Sequence, residues 1–508
     1  KIMKFGAAFF FICCSVSAQR LPLSVLAAEN ENNGTECGAL TGRSLDGLEY
    51  TGHVFEPGTK FRYAIYLPRQ ASGKRELALY VLLEYDSKEI SPILEGFIEE
   101  GIMPAGMFLF VNPGTLPATR KGGISRGMRA EEFDQSGREF PNFLVDELIP
   151  TAAKAAGVTL SASPDRHLIT GGSSGGMCAW NAAWFRNDYF RRVFLSSPTF
   201  SAIRGGEEPM VLLRKTESRP IRIYMTVGTI EPDYFFGSSF YAACNARDAF
   251  RFAKYDLKFE LFPNEGHCCR RSDPQLLRRV MQFLWNNWKT EPVRTLGNQI
   301  RINQILEQGS AWEETKDAFP SKTLPQNEHG AYSFDKTRIY LAVPGKEKTV
   351  VADGFSDISG IAVSSDRWRV TIADRGRRFL YAMSILPDGT LGQLYKLAPL
   401  HLAHDCRTIG ASDLCVDTSD RVYAATELGI QGVVSFGLTD LILPLPGDLP
   451  VDRVAFGGSE KNMLYAASGN RVFKRKMRVR AQDPSVETSP TTPGYGDGFD
   501  YSIPHLPQ

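Results

Sequence analysis

The sequence predicts two folding styles in one chain: an α/β unit with a mostly parallel sheet, followed by an all-β region. Between about residues 45 and 290, strand-like apolar runs alternate with helical stretches, which is typical of a parallel sheet with helices on both faces. From about residue 336 onward, short strands recur between turn signals and no helical pattern is found. A chain of 508 residues is also too long for one core.

The hydrophobic pattern predicts the elements of the α/β unit in chain order. Alternation between Gly47 and Pro68 predicts antiparallel strands. Continuous apolar runs predict buried strands at 77–83 and 107–111, and two further strands are predicted at 221–227 and 257–261. Helical patterns lie at 93–100, 143–156 and 275–288.

The run from Leu168 to Ala179 predicts a strand, a glycine-rich turn and a helix, in that order. Its centre, Gly172-Ser173-Ser174-Gly175-Gly176, fits the G-x-S-x-G pattern of a nucleophile elbow, which is a feature of α/β-hydrolase folds. Such a turn holds its serine in a strained backbone conformation, where neighbouring side chains would clash. We therefore predict an α/β-hydrolase fold with Ser174 as the nucleophile.

A serine nucleophile needs a base within reach and an acid that orients the base. In this fold class the chain order is serine, acid, histidine. His267 is the one histidine between the turn and the end of the unit, and it follows a predicted strand. The loop after the 221–227 strand offers Glu231 and Asp233, and both remain candidates for the acid. The predicted chemistry is ester hydrolysis through an acyl-enzyme.

An oxyanion hole needs two amides aimed at the reacting carbonyl. One is expected from Gly175, which directly follows the predicted nucleophile. The second is expected from Tyr85 or Asp86, in the loop after an early strand.

Composition excludes several classes of function. The 58 basic and 57 acidic residues nearly cancel, so no field attracts nucleic acid. The nine cysteines include no C-x-x-C pair, and neither a metal nor a cofactor is predicted. Cys406 and Cys415 could form a disulfide in an exported protein, but the sequence leaves this open.

The two ends of the chain differ from its middle. Lys1 and Lys4 precede an apolar run, so we expect residues 1–28 to be a signal peptide and the protein to be exported, periplasmic or secreted. No later segment is apolar enough to cross a membrane. The predicted organisation is a signal peptide at 1–28, a hydrolase domain at 29–290, a linker or insertion at 291–335, an all-β domain at 336–480 and a disordered tail at 481–508.

The α/β unit resembles the esterases related to enterochelin esterase and feruloyl esterases. The runs that carry the resemblance are Gly172-Ser173-Ser174-Gly175-Gly176, Val111-Asn112-Pro113-Gly114, Glu132-Phe133-Asp134 and Glu265-Gly266-His267. The resemblance implies an α/β-hydrolase that cleaves carboxylic esters with a Ser-Asp-His triad. It implies that Ser174 is the nucleophile, that Glu231 stands at the usual aspartate and that His267 is the base. The usual Gln-Asp-Gly of the oxyanion strand reads Glu84-Tyr85-Asp86.

The C-terminal region resembles part of the gluconolactonase and regucalcin-type β-propellers. The runs concerned are Leu428-Gly429-Ile430-Gln431, Val454-Ala455-Phe456-Gly457-Gly458 and Leu464-Tyr465-Ala466-Ala467. Its length fits about three blades, so we predict a partial propeller. Members of that family hold a divalent metal through Glu, Asn and Asp. Here Ser359 and Ser412 stand at two of these positions, which implies a degenerate binding or structural module.

Together these features predict an exported serine carboxylic-ester hydrolase. Its expected substrate is a small-molecule or polysaccharide ester, and no nucleic-acid partner is expected. Two alternatives remain at this point: a metal-dependent sugar lactonase in the C-terminal region, and a non-catalytic binding protein with degenerate sites. The sequence indicates no oligomeric state.

Overall fold

One ten-stranded sheet organises the N-terminal part of the protein. The structure is a computed structural model and describes residues 42–322 and 324–481. The strands of this sheet are, in chain order, β1 (Arg43–Gly52), β2 (Thr59–Leu67), β3 (Ala78–Leu83), β4 (Gly106–Val111), β5 (Thr115–Leu116), β6 (Arg126–Gly127), β7 (His167–Gly172), β8 (Arg192–Ser196), β9 (Arg222–Gly228) and β12 (Asp256–Phe262). A separate short hairpin is formed by β10 (Asp233–Tyr234) and β11 (Gly237–Ser238).

The sheet is mixed but mostly parallel. Its order is β12-β9-β8-β7-β3-β4-β2-β5-β6, with β1 paired to β2. Neighbouring strands are parallel from β12 to β4. The next strand, β2, is antiparallel to β4. The prediction of a mostly parallel sheet after antiparallel first strands is confirmed.

Nine helices are found in the described part of the chain. They are α1 (Ser87–Glu99), α2 (Arg129–Phe133), α3 (Glu139–Phe143), α4 (Ile149–Ala156), α5 (Ser174–Phe185), α6 (Glu208–Leu213), α7 (Ser239–Phe252), α8 (Pro274–Leu284) and α9 (Ile300–Ile305). A π-helical turn, Leu144–Leu148, joins α3 to α4, so the predicted helix at 143–156 is the end of a longer one.

Helices cover both faces of the sheet because each central strand is apolar on both sides. In β3, Leu79 and Val81 pack in a cluster with side chains of α3, α4, α5 and α7. The alternate residues, Tyr80 and Leu82, pack with α1 and α8 on the opposite face. Successive strand residues point to opposite faces, so a continuous apolar run fills both layers.

Four four-stranded antiparallel sheets follow. The first contains β14 (Gln326–Asn327), β15 (Gly330–Phe334), β16 (Ile339–Ala342) and β17 (Thr349–Ala352), and the second contains β18 (Ile358–Val363), β19 (Arg369–Asp374), β20 (Phe379–Ser384) and β21 (Tyr395–Pro399). The third contains β22 (Asp413–Val416), β23 (Val422–Thr426), β24 (Gly429–Val433) and β25 (Thr439–Leu443). The fourth joins β13 (Glu313–Thr315) to β26 (Arg453–Gly457), β27 (Met463–Ser468) and β28 (Arg471–Lys476).

The all-β character of the C-terminal region is therefore confirmed, and the propeller stays a prediction. Regular elements also occur before residue 336: α9, β13, β14 and β15 lie in the stretch predicted as a linker. Two of the strands, β13 and β14, are only two or three residues long, so they give weak hydrophobic alternation. The early strand β13 pairs with the late strand β28, a contact that no local pattern could indicate.

The C-terminal sheets share a core with the α/β part. Ala403, Leu428 and Ile442 belong to the same buried cluster as the helices α3 to α7. Arg219, which precedes β9, forms an ion pair with Asp448 at 2.7 Å, and each side chain is only 11% exposed. Contacts of this kind bring residues 42–322 and 324–481 into one compact unit.

Several sequence predictions fall at the ends of the described chain. The predicted signal peptide at 1–28 lies outside the described residues, as does the predicted tail apart from Ala481, which bridges to Asp417. No helix in the described ranges is both long and apolar enough to cross a membrane. Cys406 and Cys415, whose pairing the sequence left open, are both free thiols.

The Arg219–Asp448 pair generates the first prediction. We expect Asp448→Ala to lower the free energy of unfolding by about 3 kcal/mol, because it leaves a buried guanidinium without its carboxylate. Urea denaturation measures the loss. The control is Asp248→Ala, which removes an exposed pair with Arg247 and should cost less than about 1 kcal/mol. Equal losses would contradict the buried role of Asp448.

Candidate active site

The strained residue of the predicted elbow is Ser173. Its φ of 55° and ψ of −127° lie outside the conformations that non-glycine residues readily adopt. Ser174 is the first residue of α5, so the prediction that the turn strains Ser174 is wrong by one position. Ser173 is also partly exposed, whereas Ser174 is only 3% exposed.

Glycines make this turn possible because the helix returns very close to the strand. A Cβ on Gly171 would lie 2.3 Å from the carbonyl oxygen of Gly175. A Cβ on Gly176 would lie 3.0 Å from Cα of Pro198, in the segment after β8. Any side chain at these positions would push α5 away from β7, so the glycines set the tight strand-to-helix turn.

The predicted base and one predicted acid form a direct pair. The ring N–H at Nδ1 of His267 donates to Oε2 of Glu231 at 2.5 Å. The Glu231 side chain is fully buried, and its Oε1 accepts from the Ser197 hydroxyl at 2.5 Å. Asp233 lies instead at the exposed start of the β10–β11 hairpin. Of the two candidate acids, only Glu231 contacts His267 among the described residues.

A shared carbonyl links the histidine loop to the elbow. The Ser196 carbonyl accepts the Ser173 amide at 3.0 Å and the Cys268 thiol at 3.5 Å. The Cys268 amide donates to the Ser197 hydroxyl at 3.0 Å. Within the described ranges neither elbow serine is hydrogen-bonded to His267, and catalytic hydrogen bonds are often long before substrate binds. The chain nevertheless brings the His267 loop directly against the backbone of Ser173.

The electrostatics of the pair favour a charged imidazole. Hydrogen bonds with Cys268 and Glu231 raise the pKa of His267 to about 10, although burial acts in the opposite direction. Burial acts to raise the pKa of Glu231, but its hydrogen bonds with His267 and Ser197 outweigh burial and lower it. The geometry therefore stabilises an imidazolium beside a carboxylate.

Ser174 belongs to a second polar cluster on the other side of the turn. Its hydroxyl accepts from Nη1 of Arg129 at 2.6 Å and is hydrogen-bonded to Asp134. Arg129 also donates to both carboxylate oxygens of Glu84, at 2.7 and 2.8 Å. This arrangement occupies the Ser174 hydroxyl and fixes a guanidinium at the start of α5.

The residues predicted for the oxyanion hole lie near the elbow, and the side chains of Tyr85 and Asp86 make structural contacts there. A Cβ on Gly175 would lie 3.6 Å from the Leu83 Cβ at the end of β3, so the strand end carrying Tyr85 runs against the turn. The Tyr85 ring is buried, with its hydroxyl 3.2 Å from Oγ1 of Thr170. The Asp86 carboxylate caps α1 by accepting the Lys88 amide at 2.8 Å. The first amides of a helix have no partner inside it, so those of α5 can bind an anion.

Two runs that carried the first resemblance contact each other. The Gly114 amide donates to Oε2 of Glu132 at 2.7 Å. Burial raises the pKa of Glu132 to about 8. Glu132 thereby ties the loop after β4 to α2, the helix that carries Arg129.

The residues at the expected metal positions of the C-terminal region do not suit a divalent cation. The Ser359 hydroxyl donates to the Ala411 carbonyl at 2.6 Å. Asp413, next to Ser412, is paired with the Lys322 ammonium. A carboxylate already neutralised by an ammonium is a poor ligand for a hard cation, and no cluster of metal-binding side chains occurs in the described residues.

Sequence reasoning missed four residues of the site. Ser173 could have been found, because Gly171-Gly172-Ser173-Ser174-Gly175-Gly176 contains two overlapping G-x-S-x-G registers. Cys268 follows His267 directly, but no spacing rule assigns it a role. Arg129 and Ser197 had no usable signal, because they reach the site only through the packing of α2 and the turn after β8.

Comparison with known proteins gives one family match. Residues 56–349, more than half of the chain, match the family described as "Putative esterase". No curated protein sequence matches the chain.

Several solved structures match about half of the chain at low identity. The enterobactin esterase FES from Shigella flexneri, solved with 2,3-di-hydroxy-N-benzoyl-glycine, is 19% identical with a TM-score of 0.37, over 48% of this chain and 59% of that one. This chain thus spans less than two thirds of that esterase. A ferulic acid esterase is 16% identical with a TM-score of 0.38, over 48% and 98%. The BES protein from Bacillus cereus is 17% identical with a TM-score of 0.35, over 49% and 96%.

The contacts of His267 generate the second prediction. We expect its imidazole to titrate near pH 10, and Cys268→Ala to lower the midpoint by roughly one pH unit, because a hydrogen bond to a charged group contributes about 1.5 kcal/mol. An NMR titration of labelled histidines measures both, with His267→Gln identifying the resonance. Cys269→Ala is the matched control and should leave the midpoint unchanged. A midpoint near 6.5 in the wild type would show that Glu231 and Cys268 do not stabilise the charged imidazole.

Proposed function

This chain belongs to the esterase family, and we propose that it is an exported serine carboxylic-ester hydrolase with Ser173 as nucleophile, His267 as base and Glu231 as acid. The observation that carries the proposal is the strained Ser173 near a pair formed by the buried Glu231 side chain and the partly exposed His267 ring. A hydroxyl at a sharp turn, an imidazole and a carboxylate that orients it are the parts that acyl transfer requires.

Ser173 is preferred to Ser174 as nucleophile for three reasons. Ser173 has the strained elbow conformation and is partly exposed. Ser174 is buried, and its hydroxyl is held by Arg129. The amide of Ser173 shares its acceptor, the Ser196 carbonyl, with the thiol that follows His267.

The proposed acylation step moves one proton and one acyl group. His267 can act as base only in its neutral form, which with a pKa of about 10 is the minor form at neutral pH, so the rate should rise with pH towards 10. This neutral imidazole takes the Ser173 hydroxyl proton at Nε2 while the serine oxygen forms a bond to the ester carbonyl carbon. The tetrahedral intermediate then collapses, the bond to the alcohol oxygen breaks, and the imidazolium returns its proton to that oxygen. Glu231 stays ionised throughout and holds the Nδ1–H of His267, which fixes the tautomer.

Deacylation repeats the same steps with water. His267 takes a proton from water, whose oxygen attacks the acyl-enzyme, and the Ser173 oxygen leaves with the proton that His267 gives back. In both steps, negative charge on the carbonyl oxygen would be stabilised by the amides of Ser174 and Tyr85. Gly175 and Asp86 remain candidates for neighbouring donors.

The proposed substrate is a small-molecule or polysaccharide ester. Export rests on residues 1–28, whose sequence is that expected of a signal peptide. The lactonase alternative is not favoured, because Ser412 stands at an expected metal position and Lys322 neutralises the adjacent Asp413. The non-catalytic alternative is separated from the proposal by reactivity of the elbow serine.

The choice of nucleophile generates the third prediction. We expect Ser173→Ala to reduce kcat/KM for p-nitrophenyl acetate by at least about 10,000-fold, since it removes the attacking oxygen. Ser174→Ala is the matched control at the adjacent position and should lose no more than about tenfold, because it removes hydrogen bonds with Arg129 and Asp134 but no attacking oxygen.

Labelling gives an independent measure of the same claim. A fluorophosphonate probe should modify the wild type stoichiometrically at the peptide containing Ser173 and leave Ser173→Ala unmodified. Labelling that survives in Ser173→Ala and disappears in Ser174→Ala would return the nucleophile to Ser174. An unlabelled wild type without hydrolysis of any ester would favour the non-catalytic binding protein.

The acid generates the fourth prediction. We expect Glu231→Ala to lower kcat by about 1,000- to 10,000-fold, because the imidazole loses the group that orients it and stabilises its charge. Asp233→Ala is the control, since the exposed Asp233 makes no contact with His267 in the described structure. Comparable losses in both variants, measured with p-nitrophenyl acetate, would exclude this assignment.

A further inference from the structure

One segment connects the elbow to the C-terminal sheets. It runs from Arg129, the first residue of α2, to Arg138, which precedes α3, and we call it the bridging segment, residues 129–138. Its first half contacts the elbow, where Arg129 and Asp134 both bond the Ser174 hydroxyl. Asn181 of α5 also donates to the Gln135 carbonyl, which fixes the middle of the segment to the same helix.

The second half of the bridging segment is held by the loop between β21 and β22. The His404 amide donates to the Ser136 carbonyl at 2.8 Å, and the Ser136 amide donates back to Nδ1 of His404 at 3.0 Å. The two segments are thus joined by one backbone–backbone hydrogen bond and one bond from a backbone amide to the imidazole. Nδ1 must therefore be unprotonated, and the other ring nitrogen, Nε2, lies 3.3 Å from Oε2 of Glu208.

An ion pair adds to this contact two residues further along. The backbone amide and Nη1 of Arg138 donate to the same carboxylate oxygen of Asp405, at 3.2 and 3.0 Å. The side chains are only 18% and 12% exposed, so water competes weakly for these bonds. Charge-assisted hydrogen bonds of this kind are shorter and stronger than neutral ones.

We propose that His404 and Asp405 are positioning residues of the ester-hydrolysis site, because they fix the bridging segment and so hold Arg129 against the elbow. The inference rests on the proposed function. It gives the C-terminal region a role in catalysis without a ligand of its own. A five-residue helix such as α2 has too few internal hydrogen bonds to hold its own position, so the external contacts set where its guanidinium lies.

The test compares contacts of the same two regions at different places. We expect His404→Ala and Asp405→Ala to lower kcat for p-nitrophenyl acetate by about 10- to 100-fold with KM nearly unchanged, since small misplacements near a reacting centre cost about this much. His404→Asn offers an acceptor oxygen near the Nδ1 position and should restore most of the activity. Asp448→Ala breaks a contact remote from the bridging segment and should keep kcat, whatever its loss of stability.

Two further measurements separate positioning from general stability. If His404 acts through Arg129, His404→Ala should have little additional effect in an Arg129→Ala background. Amide exchange in peptides covering 129–138 should be faster in His404→Ala and Asp405→Ala than in the wild type, and unchanged in Asp448→Ala.

Three outcomes would overturn the inference: kcat within about twofold of the wild type in both variants, a full additional loss in the Arg129→Ala background, or unchanged exchange at 129–138. If the wild type hydrolyses esters and any of these results is found, only the positioning role of His404 and Asp405 is excluded. A wild type that hydrolyses no ester would sink the proposed function, and the exchange experiment would still decide whether the loop fixes the bridging segment.

Discussion

The site depends on one backbone constraint, the left-handed conformation of Ser173 between β7 and α5. A non-glycine residue in such a conformation costs about 1–3 kcal/mol, so its surroundings must hold it. Its amide donates to the Ser196 carbonyl, and its own carbonyl accepts the amides of Gly176, Met177 and Thr199. These four bonds tie the turn to α5, to β8 and to the segment after β8. The central sheet and α5 thus fix the backbone of Ser173, and its hydroxyl lies 3.3 Å from Oγ1 of Thr199.

The proposed acid, Glu231, is held by its surroundings in a similar way. The Glu231 side chain is fully buried, yet it stays ionised because the Ser197 hydroxyl and the His267 ring both donate to it. A buried carboxylate without such donors would take up a proton and lose its hold on the imidazole. Ser197 itself has a positive φ of 44°, directly after β8. Two strained residues, one after β7 and one after β8, therefore face the same loop from neighbouring parallel strands.

The C-terminal sheets are part of the same packed unit. Their side chains add to the buried cluster around α3 to α7. Their loops also supply His404 and Asp405 as hydrogen-bond acceptors for the backbone amides of the bridging segment. The Arg219–Asp448 ion pair joins the two regions, and removing either partner would leave a buried charge without its counter-ion. The bridging segment connects the C-terminal region to the elbow, because Arg129 at one end contacts Ser174 and Arg138 at the other contacts Asp405.

Sequence patterns were sufficient to predict the central strands and the region of the site. The buried strands at 77–83 and 107–111 follow from apolar runs, and His267 and the loop carrying Glu231 and Asp233 follow from their places after parallel strands, whose ends meet at one sheet edge. The three-dimensional fold was needed to show that Ser173, and not Ser174, has the strained backbone conformation, because the two overlapping registers are equivalent until a φ angle is known, and to show that Glu231, and not Asp233, contacts His267. It also decided the roles of Arg129, Ser197 and His404, and the pairing of β13 with β28. These contacts join residues far apart in the chain, and a local pattern carries no information about which distant partner packing will supply.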